Sequence, residues 1–296
     1  MAEHFVGNPV WPAAAAMALV CVSIWTWFAV QWRRGRPVVR WQPRRASPWT
    51  GGELIVVVAI YFMLQWLLGA LGHWVLPAEA WQPDVNATSA VHPLARLVAH
   101  GNLWILALGV VSAVAVTPLF EELLFRVLFQ GWLESLWHGR RRRRWRRAGM
   151  PIFVSSLVFA AMHFRSAGPA MTPQLAAFLF AGDAVVKILT AAMAIVLVRR
   201  ATGADAADLG WSPRTWAGDV RLGLILLAAV APLIYALQIG LGWVLPSGVA
   251  PDPVPLLFFG LVLGTLWFRT HRLLPPVVLH AAFNAVSLLL AWLGGL

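Results

Sequence analysis

Four stretches of this 296-residue chain, 10–32, 54–76, 222–245 and 273–296, each contain no Asp, Glu, Lys or Arg. A transmembrane helix needs about 20 mainly apolar residues at a rise of 1.5 Å each. Uncharged runs of that length therefore leave few options besides helices that cross a bilayer. Four further stretches are apolar but less uniform. The stretch 103–120 leads into Glu121 and Glu122, and 151–164 is short and carries His163. The stretch 174–198 contains Asp183 and Lys187, and 254–268 holds Gly260 and Gly264. We expect an all-α, polytopic transmembrane helical bundle of about eight spans, with seven as the nearest alternative count. Composition agrees: 60% of residues are hydrophobic and 12% charged, against roughly 25% charged in an ordinary soluble domain. The 18 tryptophans suit the aromatic belts found at membrane interfaces.

Arginine placement predicts orientation. The first connection carries Arg33, Arg34, Arg36, Arg40, Arg44 and Arg45, and the third carries Arg140 to Arg144 with Arg146 and Arg147. The fifth holds Arg199, Arg200, Arg214 and Arg221, and the seventh holds Arg269 and Arg272. The alternate connections contain only Arg96 and Arg165. The positive-inside rule makes the arginine-rich connections cytoplasmic and turns both termini outward. The net charge of +11 then serves membrane orientation and contact with anionic lipid head groups, and no nucleic-acid partner is expected. Cys21 is the only cysteine, which excludes an intrachain disulfide and a cysteine-based zinc site. The first stretch has its arginines behind it, the pattern of a retained helix rather than a cleaved signal. Asn86-Ala87-Thr88 matches a glycosylation sequon on the outward side.

Ionisable side chains inside an apolar span cost several kcal/mol, so they mark either a site or a paired contact. The third span runs into Pro118-Leu119-Phe120-Glu121-Glu122-Leu123-Leu124-Phe125-Arg126. Adjacent helical residues point about 100° apart, so the two carboxylates have different tasks. Glu122 and Arg126 stand at i and i+4 and can pair, which leaves Glu121 the freer carboxylate. Pro118 removes a backbone hydrogen bond just before it. Phe159 and His163 share a face of the fourth span, and His280 and Asn284 share a face of the last. Asp183 and Lys187 have the same spacing and are read as a structural ion pair, with a substrate contact as the minority reading.

Glu121-Glu122-x-x-x-Arg126, Phe159-x-x-x-His163 and His280-x-x-x-Asn284, in this order on separate apolar spans, resemble the CPBP family. That family comprises the type II CAAX prenyl endopeptidases, or Ras-converting enzymes, and their bacterial Abi-type relatives. Phe258-Phe259-Gly260 with Gly264 and Leu274-Pro275-Pro276 also look like the family's last two helices. The family's usual Thr-Gly-Ser-Leu turn reads Thr270-His271-Arg272-Leu273 here. The resemblance divides the chain into 1–100, two N-terminal helices with their connections, and 101–296, a protease-like domain with an extra two-helix segment at about 172–250. It implies an intramembrane endopeptidase hydrolysing a peptide bond near the C-terminus of a membrane-associated protein or peptide. The composition, with 22 arginines against one lysine, looks bacterial and points to a bacterial cytoplasmic membrane.

Peptide hydrolysis needs an activated water, a proton for the leaving amine and donors for the oxyanion. A carboxylate in a low-dielectric pocket is a stronger base than one in water. Glu121, assisted by His163, is the expected base. His280 and Asn284 would hold the oxyanion, as the resemblance implies, with Glu122, Arg126 and Phe159 orienting the set. No cofactor is required on this reading. The alternative is zinc held by Glu121, His163 and His280, a ligand set that would leave an open position for water. Outside proteolysis, a non-catalytic membrane binding or immunity protein remains open, as does a proton-coupled transporter. A single site requires Glu121 to stand within hydrogen-bond reach of the histidines, directly or through water.

Overall fold

The computed structural model describes residues 10–42, 46–81, 103–137, 144–163, 172–244 and 253–293. The sequon at Asn86, together with Arg44, Arg45, Arg96, Arg140 to Arg143 and Arg165, lies outside the described residues. Every long element is a helix: α1 (Val10–Arg33), α2 (Gly51–Val75), α3 (Leu103–Leu136), α4 (Arg144–Met162), α5 (Pro173–Thr202), α6 (Trp216–Val244), α7 (Pro253–Thr270) and α8 (Leu274–Leu293). No strand occurs among the described residues. Six of the helices, α2, α3 and the four from α5 to α8, are long and apolar enough to cross a membrane, and α4 contributes a shorter apolar run at Ala148–Met162. With α1, the polytopic bundle has six to eight spans.

Local chemistry sets the helix ends. Thr50 caps α2 by accepting from Gly52 N, and Glu53 accepts from Thr50 N in return, a reciprocal capping box. Pro173 opens α5, where its missing N–H is no loss, and the Thr172 hydroxyl accepts from Leu175 N. Arg199 and Arg200 close α5 ahead of Gly203, which is left-handed with φ 72°. In place of a buried surface, the bundle presents large apolar side chains outward. Exposed tryptophans stand near helix ends at Trp32, Trp74, Trp104, Trp216, Trp243 and Trp292, as suits a membrane interface, and others lie within spans at Trp25, Trp27 and Trp66.

The inner core is narrower. α7 packs most extensively on α4, α8 on α6, α2 on α5 and α1 on α6. The α4–α7 contact is close because small residues face each other: a Cβ added at Gly260 would lie 3.0 Å from Ser156. Phe120, Phe125, Phe159, Phe259, Leu263, Trp267, Leu279 and Phe283 fill the centre. The segment Asp208–Trp211 docks on the α7–α8 turn, where Leu273 N donates to Gly210 O at 2.9 Å. In that turn His271 occupies the left-handed region with φ 48°. This explains why a glycine suits that position in the related turn, since an L-residue is strained there.

The docking predicts an asymmetric pair of glycine substitutions. Gly210 has φ 73°, and an added Cβ would meet Trp267 at 2.6 Å and Leu273 N at 2.8 Å. Gly210→Ala is expected to destabilise by roughly 1–2 kcal/mol or more. Gly218→Ala, on an open face of α6 with nothing within 4 Å, is expected to be neutral or to stabilise by up to about 1 kcal/mol. Thermal unfolding midpoints in detergent check both.

Candidate active site

α3 carries the acidic residues, and it is not a plain α-helix. Ser112–Val116 and Glu122–Gln130 are wound with the wider π geometry, which often marks functional sites. Proline accounts for part of the first segment. Thr117 N donates to Ser112 O, five residues back, so the next carbonyl in that register, Ala113 O, would need a donor from residue 118. Pro118 has none. The Asn284 amide on α8 fills the vacancy, with Nδ2 donating to Ala113 O at 2.8 Å. One N–H of Asn284 therefore ties α8 to α3.

One turn further along α3, Glu122 and Arg126 form the expected pair, Nε to Oε2 at 3.2 Å, with both side chains fully buried. Arg126 Nη1 also donates to Ser155 Oγ at 3.0 Å, and Ser155 Oγ donates to Phe125 O at 3.1 Å. The remaining Glu122 oxygen, Oε1, accepts from His280 Nδ1 at 3.0 Å. The Phe159 ring sits 5.1 Å from the Arg126 guanidinium and lies edge-on to His280 at 5.8 Å. α3, α4 and α8 are thus locked together around one buried ion pair.

Glu121 faces the other way. His163 stands just past the end of α4, with Nδ1 donating to Phe159 O at 2.7 Å. A carbonyl can only accept, so Nδ1 carries a hydrogen and Nε2 is the atom left to face outward. His280 is arranged in the same manner, its Nδ1 donating to Glu122. The two Nε2 atoms converge on one oxygen, Glu121 Oε2, at 3.6 Å from His163 and 3.8 Å from His280. Both distances exceed a direct hydrogen bond. Glu121 Oε2 is itself buried and accepts no hydrogen bond among the described residues. Glu121, His163, His280 and Asn284, drawn from three helices far apart in sequence, thus lie in one region.

Glu121 and His163 open on a cavity of about 370 Å³ whose other lining includes Tyr61, Gln65, Asp183 and Lys187. The Asp183–Lys187 pair expected from spacing is present at 2.6 Å. Among the described residues, no three His, Cys, Asp or Glu side chains are arranged to hold a metal ion. Sequence reasoning missed Ser155, whose only signal was a hydroxyl two helical turns before His163. It also missed Tyr61 and Gln65, whose i, i+4 spacing lies in an otherwise uncharged span.

A family model described as Rce1-like, type II CAAX prenyl endopeptidase, matches residues 101–204 and 209–286, well over half of the chain. The chain belongs to this family. Comparisons with curated proteins and with solved structures found no match. The Rce1-like match includes α3 to α7 and most of α8, and so all three motif helices; α1 and α2 lie outside it. Membership makes this an integral membrane protein of an endopeptidase family, with a protein or peptide as its class of substrate.

Removing one partner of the buried pair isolates its role. Glu122→Gln leaves the Arg126 guanidinium uncompensated, and a loss of about 3 kcal/mol or more is expected. The double variant Glu122→Gln/Arg126→Met should recover a substantial part of it. Unfolding midpoints of the three proteins check this.

Proposed function

We propose that the protein is an intramembrane endopeptidase that cleaves a membrane-associated protein or peptide near its C-terminus by attack of a water activated at Glu121. The observation that carries this reading is the convergence of two anchored imidazoles on Glu121 Oε2 at 3.6 and 3.8 Å, beside an open cavity. A carboxylate flanked by two imidazoles and lining a cavity is placed to take a proton from water. Water held between Glu121 and His163 attacks the scissile carbonyl, and its proton passes to Glu121. The negative charge that builds on the carbonyl oxygen falls to His280 and Asn284. Donation through Nε2 uses the imidazolium form of His280, which Glu122 supports from the Nδ1 side. The remaining amide N–H of Asn284 is the second donor. As the carbon–nitrogen bond breaks, the proton held by Glu121 is delivered to the leaving amine, with His163 as relay. This sequence uses no metal; Glu122, Arg126 and Phe159 hold the geometry.

Orientation follows the arginine distribution: both termini outward, and the arginine-rich connections on the cytoplasmic side of a bacterial inner membrane. The test is cleavage of a quenched peptide library by detergent-purified protein, with and without a chelator. Glu121→Gln is expected to lower the rate by about 10²–10⁴-fold, and His163→Ala by a smaller factor in the same direction, with wild-type activity resistant to chelator. Chelator sensitivity restored by zinc would overturn the metal-free mechanism. Full activity in Glu121→Gln, or no cleavage by the wild type, would overturn the protease reading in favour of a binding protein.

A further inference from the structure

Part of the wall of the cavity that Glu121 lines comes from two helices that carry none of the three motifs. α5 contributes Asp183 and Lys187, and α2, outside the family match, contributes Tyr61 and Gln65. These side chains form a connected network. Lys187 Nζ contacts Asp183 Oδ2 at 2.6 Å and donates to Thr117 Oγ1 at 2.8 Å, one turn before Glu121 on α3. Gln65 Nε2 donates to Asp183 Oδ1 at 2.8 Å and to the Tyr61 hydroxyl at 3.1 Å. The Tyr61 ring is set by stacking on Phe120, centroid to centroid 5.1 Å. A structural ion pair would be complete at this point, but this network is not. Lys187 has three ammonium hydrogens and two acceptors here. The Tyr61 hydroxyl hydrogen and Gln65 Oε1 likewise have no partner among the described residues. These three groups belong to residues that line the cavity, and within a bilayer an unsatisfied polar group must find its partner inside the protein or in what occupies it.

We propose that this wall is the substrate-binding subsite, and that it holds the peptide backbone beside the scissile bond. The inference rests on the protease function above and deepens it. Lys187 and Tyr61 are donors for substrate carbonyls, and Gln65 Oε1 is an acceptor for a substrate N–H. The donor and acceptor types match the alternating edge of an extended peptide. Charge points to the same class of ligand. Asp183 already neutralises Lys187, so the wall offers little to a terminal carboxylate and suits neutral amides. The segment bound here is therefore internal chain, and a free C-terminus is not needed for it to bind.

Kinetics on the fastest-cleaved library peptide test this. Lys187→Met is expected to raise KM about tenfold and Tyr61→Phe a few-fold, each with kcat within about twofold of wild type. Glu121→Gln should do the reverse, lowering kcat with KM retained. Because Lys187→Met strands Asp183, the double variant Asp183→Asn/Lys187→Met is measured as well. It should show the same rise in KM with an unfolding midpoint within about 2 °C of wild type. Amidation of the peptide's C-terminus should leave KM within about twofold. An unchanged KM in Tyr61→Phe or in the double variant, while Glu121 remains essential, overturns the subsite and leaves the protease standing. A large rise in KM on amidation overturns the backbone reading, because Lys187 would then be reading a carboxylate. Cleavage that survives Glu121→Gln, or its absence in the wild type, removes the proposed function and the subsite with it.

Discussion

The Glu122–Arg126 pair is the contact on which the site's geometry depends. Two charges enclosed among apolar helices gain from each other only if their remaining hydrogen-bonding capacity is also met. Here the partners that are present come from other helices, Ser155 on α4 for Nη1 of the guanidinium and His280 on α8 for the carboxylate, while Nη2 has no hydrogen-bond partner among the described residues. Phe159 covers the guanidinium face. Satisfying the pair therefore requires α3, α4 and α8 to stand in one arrangement. That arrangement turns the Nε2 atoms of His163 and His280 toward Glu121, so a structural ion pair and the proposed base beside it become parts of one design.

A second constraint acts through the backbone. A carbonyl deprived of its donor within a bilayer is costly, and Pro118 deprives Ala113 in this way. The Asn284 amide meets that need from α8, which fixes the depth of α8 against α3 and, one turn earlier, the height of His280. The same side chain is thus a tie between helices and a candidate oxyanion donor. In this site the two roles do not compete, because a primary amide has two hydrogens.

Much of this was legible in the chain itself. The uncharged stretches correspond to helices, and the i, i+4 pairs Glu122–Arg126 and Asp183–Lys187 are both formed, because helical spacing alone brings such residues together. The stretch 103–120 is only the uncharged part of α3, which continues to Leu136, ahead of the arginine-rich connection expected from residue 138. The glutamates therefore sit mid-helix, where charged residues on an apolar face are tolerated only because α4 and α8 cover them. His271 shows a limit. Its departure from glycine in the α7–α8 turn was plain in the sequence, but its φ of 48° belongs to the folded backbone.

What the sequence determined by itself was the solvent and the period: uncharged runs of bilayer length, and polar residues four apart on single helices. Both are local properties, set by hydrophobicity and by 3.6 residues per turn. Only the tertiary structure decided which groups meet between helices. The convergence of His163 and His280 on one oxygen of Glu121 depends on helix rotation and depth, as do the reach of Asn284 to Ala113 and the placing of Tyr61 and Gln65 on the cavity that the acid lines. Those are set by long-range packing and by the need to satisfy buried polar groups, which no window of sequence contains.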